Sequence, residues 1–188
     1  MKHIFLTLSV PAHILMCAAL IWGLQVGDPM TLGGRDPIVN ARISSHMLIG
    51  LAAVIGVTVV HAVVFTWFMG TGRWIEESSM AYGLSENYHK RSQKLKYSVL
   101  PGIMISFLMV MGTGCLGVIA DPATVTSLQS ATGISDSTLH LFAAIATWVA
   151  NLCINLMQYF RISGNSAIIE SVLAEVRRIR LERGLPVG

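Results

Sequence analysis

Long apolar runs separated by short polar stretches dominate the chain. Four runs stand out, roughly Phe5–Leu24, Ser44–Met69, Tyr97–Ala120 and Thr138–Phe160. Each is long enough to cross about 30 Å of hydrocarbon as a helix. The second run, SSHMLIGLAAVIGVTVVHAVVFTWFM, carries no Lys, Arg, Asp or Glu. After the fourth, SGNSAIIESVLAEVRRIRLERG sets Ile168, Val172, Val176 and Ile179 on one helical stripe opposite Glu170, Glu175 and the arginines. The pattern predicts an all-α membrane protein: a four-transmembrane-helix bundle over residues 1–162, then a C-terminal amphipathic helix over 163–188 closed by Gly184. That tail has two expected resting places, the inner leaflet or a partner subunit.

Composition agrees. Of 188 residues, 53% are hydrophobic and 12% charged, with mean hydropathy +0.63. The basic residues fix an expected orientation. Lys2, the cluster from Arg73 to Lys96 and the cluster from Arg161 to Arg183 fall on one side, and only Arg35 and Arg42 on the other. The positive-inside rule then puts both termini in the cytoplasm of a multi-pass protein, as in a bacterial inner membrane. The net charge of +3 reflects this topology, and no nucleic-acid-binding surface stands out. Cys17, Cys115 and Cys153 lie inside spans without CxxC or CxxCH spacing, so they are expected to be small buried thiols. The segment GTGRWIEESSMAYGLSENYHKRSQKLK is expected to be the longest inner connection, with Ser85 capping a short helix that leads into the third span. That span, rich in Gly and Met, is a bundle wall. Ser135 or Asp136 caps the fourth.

Four histidines fall inside spans. His46 and His61 lie on the second helix, separated by about 22 Å along its axis and by roughly 60° around it. Gly50, Ala53 and Val57 share their stripe and leave room for a flat, bulky group. His140, on the fourth helix, is level with His46 near the outer surface. His13, on the first helix beside Pro11, is level with His61 in the inner half. On the fourth helix Ala144, Thr147, Asn151 and Asn155 continue the His140 stripe, so that face is expected to turn inward. Paired imidazoles from facing helices hold haem iron with two neutral nitrogens. Zinc or copper would need ligands gathered in one place. The expected cofactors are therefore two haems b, an outer one on His46 and His140 and an inner one on His13 and His61. Arg42, one helical turn before His46, is the expected partner of the outer propionates. Asn155, at the depth of His61, is a competing hydrogen-bond partner for it.

This arrangement resembles the bis-histidine, di-haem b-type membrane cytochromes, such as the anchor subunits of respiratory formate dehydrogenases, hydrogenases and succinate or fumarate oxidoreductases. The resemblance covers four helices and four histidines. It departs from the formate dehydrogenase type, where the last helix supplies two ligands; here the second helix does. It implies an electron-transfer subunit of a larger redox complex, working with other membrane or peripheral subunits and with a quinone or a cytochrome. The alternative is a cofactor-free structural or assembly subunit whose histidines bridge helices. A histidine proton path in a small transporter is a third reading, without an intramembrane carboxylate to support it.

Overall fold

The computed structural model describes residues 1–26 and 36–186. Their chain order is α1 (Lys2–Val26), α2 (Pro37–Tyr82), α3 (Asn87–Ile119), the single turn α4 (Gln129–Thr132) and α5 (Asp136–Glu182). No strand occurs among the described residues. α1, α2, α3 and α5 are each long and apolar enough to cross a membrane. Arg35 lies outside the described residues.

Local sequence explains the ends. Asp36 caps α2, its carboxylate accepting from the Ile38 N–H at 2.8 Å, and Pro37 occupies the first turn, where no amide partner is needed. Ser135 caps α5 by accepting from the Thr138 N–H, as the sequence predicts. α2 ends at Gly83, whose φ of 66° is a left-handed value that costs glycine little. Ser85 accepts from the Asn87 N–H at 3.3 Å, at the start of α3 itself rather than of a separate short helix.

The connection between the second and third spans differs from expectation. The expected long connection is helical almost throughout. α2 runs on to Tyr82, α3 starts at Asn87, and the turn between them spans residues 83–86. The C-terminal stripe is likewise no separate helix, because α5 continues unbroken to Glu182. Packing is the reason. Ile75 of the α2 extension is fully buried against Ile168 and Val172 of α5. This apolar contact offsets the cost of Gly70 and Gly72 within α2, about 1 kcal/mol each. Polar contacts add register: Asn165 accepts from the Ser92 hydroxyl and donates to Thr71 Oγ1, both at 2.9 Å, tying α5 to α3 and α2. Arg180 donates to the Tyr82 hydroxyl. At 46 residues, α2 is about 69 Å long, more than twice the hydrocarbon thickness, so its charged half stands clear of the apolar half.

The main core lies between the apolar halves. Val57, Val60, Val64 and Phe68 of α2 pack with Phe5 and Ala12 of α1, Val99 and Ile103 of α3, and Ile162 of α5. Gly56 lets α2 approach α1 closely, since a Cβ there would lie 3.4 Å from Ala12 Cβ. The thiols depart from expectation: Cys115 and Cys153 sit on exposed outer faces, and Cys17 is half-buried.

Candidate cofactor site

α2 and α5 bring His46 and His140 together. Their ring centroids are 5.9 Å apart and the planes cross at 78°. Two imidazoles on opposite sides of one metal, with bonds of about 2 Å, set their ring centres about 6 Å apart. Each ring is also oriented. His46 Nδ1 donates to the Ala19 carbonyl of α1 at 3.0 Å, and His140 Nδ1 donates to the Thr113 carbonyl of α3 at 3.1 Å. A carbonyl can only accept, so Nδ1 carries the proton in both rings and Nε2 keeps its lone pair. Metal-binding histidines are oriented in the same way, by a bond to the other nitrogen. Glycines make space for both rings. A Cβ at Gly23 would lie 3.0 Å from His46 Cε1, and one at Gly117 would lie 3.0 Å from His140 Cε1.

Both histidines line a cavity of about 800 Å³ that reaches all four long helices. Its wall is mainly apolar and includes Gly50, Ala53, Gly114 and Trp148. The volume lies within the roughly 300–1,000 Å³ of cofactor pockets. A smaller cavity of about 410 Å³ adjoins its outer end and shares Ile43, Met47 and Asp121 with it. Gly50 and Ala53 both line the larger cavity. Arg42 does not. Its guanidinium donates to the Gln25 carbonyl at 3.0 Å, capping the end of α1, and it is not among the cavity-lining residues. The polar groups at the outer end are instead Thr124, Ser137 and Thr138, beside Asp121.

The inner histidines do not form a matching pair. His61 is fully buried and turned to α5. Its Nε2 donates to Asn151 Oδ1 at 3.2 Å, and its Nδ1 accepts from Gln158 Nε2 at 3.0 Å. Both nitrogens are therefore in use. His13 Nδ1 donates back to the Ser9 carbonyl of its own helix at 3.0 Å. Asn155, expected near His61, approaches His13 instead, at 3.4 Å. A haem between His13 and His61 would have to break both His61 hydrogen bonds.

The polar stripe of α5 faces inward as expected. Thr147, Asn151 and Asn155 are buried, and the stripe runs on through Gln158 and Asn165, which the sequence reading missed. It also missed α3 as a source of polar partners. Ser106 donates to Asn151 Oδ1 at 2.6 Å, and Thr113 and Thr147 share a hydroxyl contact at 2.7 Å. The i, i+4 and i+7 spacing of Asn151, Asn155 and Gln158 was the available signal. Asn151→Leu would leave the His61 N–H and the Ser106 hydroxyl without their acceptor. Intramembrane hydrogen bonds average about 0.6 kcal/mol each with a maximum near 1.7, so the expected loss is about 1–3 kcal/mol. Equilibrium unfolding in mixed micelles checks it.

Among the described residues no group of three or more His, Cys, Asp or Glu side chains could hold a metal ion, so a cage built wholly of protein ligands is not formed there. No family model, curated protein or solved structure matches the chain. Fold and site define its class: an all-helical protein with four helices able to span a membrane, and a histidine-flanked cavity among them.

Proposed function

We propose that the chain is a membrane-embedded electron-transfer protein that binds haem b non-covalently between His46 and His140. One observation carries this reading: two imidazoles 5.9 Å apart, each held through Nδ1 by a carbonyl of a neighbouring helix, at one cavity of about 800 Å³. A bound haem iron supplies one-electron exchange there. The protein's own residues do the rest. The Ala19 and Thr113 carbonyls fix the tautomer that presents Nε2 and make each imidazole a stronger electron donor. Gly50 and Ala53 give a flat ring clearance, and the apolar wall keeps water from the metal. At the outer end Ser137 and Thr138 place hydroxyls that share contacts with the Ser135 hydroxyl, while Thr124 spends its proton on the Val118 carbonyl. The chain carries out no bond-making chemistry. It serves as a subunit of a larger redox complex, exchanging electrons with other subunits and with a quinone or a cytochrome.

For the inner histidines, the saturated ring of His61 favours the helix-bridging reading. His61 ties α2 to α5, so one haem per chain is the proposal. Extraction of haem from wild type and from His61→Ala tests it: one haem in both is expected, and a fall from two to one would restore an inner site.

The proposed topology is multi-pass with both termini cytoplasmic, resting on the asymmetry of basic residues. A cysteine placed at Ser130, in the turn between α3 and α5, is expected to react with an impermeant maleimide from outside intact cells. Reaction only after the inner side is opened would reverse the orientation. Thr31, a second candidate position, lies outside the described residues.

A further inference from the structure

α2 and α3 meet closely in the inner part of their seam. A Cβ at Gly72 would lie 3.9 Å from Ser92 Oγ and from Gln93 Nε2. The His61 and Phe107 rings meet edge to face, with centroids 6.1 Å apart. The same two helix faces run on toward the outer end. Val54 lies about five helical turns before Gly72 and shares its face of α2. Gly114 and Val118 lie about two and three turns beyond Phe107 and share its face of α3. At this level Val54, Gly114 and Val118 line the cavity, together with Met47 and Leu51. Met47, Leu51 and Val118 are also 56%, 57% and 61% exposed. A Cβ at Gly114 would meet nothing within 4 Å. Residues that line a cavity and are more than half exposed stand at its mouth. The cavity therefore opens sideways between α2 and α3. Two other seams are tied at the same level. His46 and Arg42 bond to carbonyls of α1, and His140 and Thr147 bond to α3.

We propose that the outer half of the α2–α3 seam is the route by which haem reaches the site from the bilayer. The inference rests on the haem reading of His46 and His140 and adds the direction of loading. The rim is apolar. Met47, Leu51, Val54 and Val118 present only carbon and a thioether to a lipid-dissolved ring. The aqueous way in, at the outer end, passes Asp121, the one charged side chain lining the cavity among the described residues. Haem carboxylates would meet like charge there. The seam is also the short path to the ligands. Met47 follows His46 in the chain, and Val118 follows Gly117, the residue against the His140 ring. A flat group passing the rim edge-on meets both imidazoles at once, and Gly114 leaves its edge the clearance that a side chain would take.

Bulk on the rim tests the route. Leu51→Trp and Val118→Trp leave both histidines and their carbonyl partners in place. The full-length protein is stripped of haem, set in lipid nanodiscs and mixed with haem-loaded vesicles, and uptake is followed by visible absorbance. Each rim variant should load about tenfold more slowly, yet reach the final haem content of wild type. Leu24→Trp, at an exposed cavity-lining position on α1, should load at the wild-type rate. Full haem at an unchanged rate in both rim variants would overturn the route alone. Slowing by Leu24→Trp and not by the rim variants would place the way in elsewhere and overturn it too. Wild type that takes up no haem would overturn the site and the route together. A rim blocked after folding removes any doubt about the fold of the variants. Val118→Cys, with Cys17, Cys115 and Cys153 replaced by alanine, is loaded before and after alkylation with a bulky lipophilic maleimide. Slower loading after alkylation supports the route, and an equal rate overturns it.

Discussion

His46→Ala and His140→Ala are each expected to reduce haem in the purified protein from about one per chain to near zero. Each ring would supply one of the two imidazole nitrogens that hold a bound haem, so either substitution removes half of the proposed ligand set. Met16 and Met47 are the wall's other possible iron ligands, each through a thioether sulfur, so the spectrum of any haem retained is read alongside its amount. His13→Ala should retain the cofactor, because His13 lies in the inner cluster and is not among the residues lining the cavity. Haem extraction normalised to folded protein by size-exclusion chromatography checks all three. Retention of a full complement in both His46→Ala and His140→Ala would remove the proposed ligands.

Gly117→Val should be nearly as damaging, although glycine ligates nothing. The β-carbon at position 117 would already stand 3.0 Å from His140 Cε1, and the valine methyls reach further. The ring must then leave the Thr113 carbonyl that orients it. Loss of such outer orientation typically costs about 10–100-fold in metal affinity. Gly23→Val should act likewise on His46 through Ala19. Gly112→Val is the control, since a Cβ at Gly112 meets nothing within 4 Å. Haem titration of the stripped proteins should separate the first two variants from the third.

Much of this site is legible in sequence because hydrocarbon is intolerant of polar groups. Intramembrane histidines announce themselves, and helical rise alone sets His46 level with His140. The periodicity of Thr147, Asn151 and Asn155 likewise shows which face of α5 turns inward. Periodicity does not say which neighbour receives a side chain. The 60° offset of His61 from His46 is compatible with facing α1 or α5, and only packing directs it to Asn151 and Gln158. Arg42 shows the same limit. One turn from His46 it shares a general direction, but the unpaired Gln25 carbonyl at the end of α1 claims its guanidinium. The inner extensions were missed for a different reason. Gly70, Gly72 and a mixed charge pattern read as a break, whereas tertiary burial of Ile75 against Ile168 and Val172 holds the helix together.

The most direct test is the visible spectrum of the purified full-length protein, oxidised and then reduced with dithionite, together with a pyridine haemochromogen assay. A site made of His46 and His140 predicts one non-covalent protohaem per chain, with the sharp reduced bands of a six-coordinate, low-spin, bis-imidazole iron. Well-folded protein expressed with ample haem yet showing no such bands would contradict it, leaving all four histidines as bridges between helices.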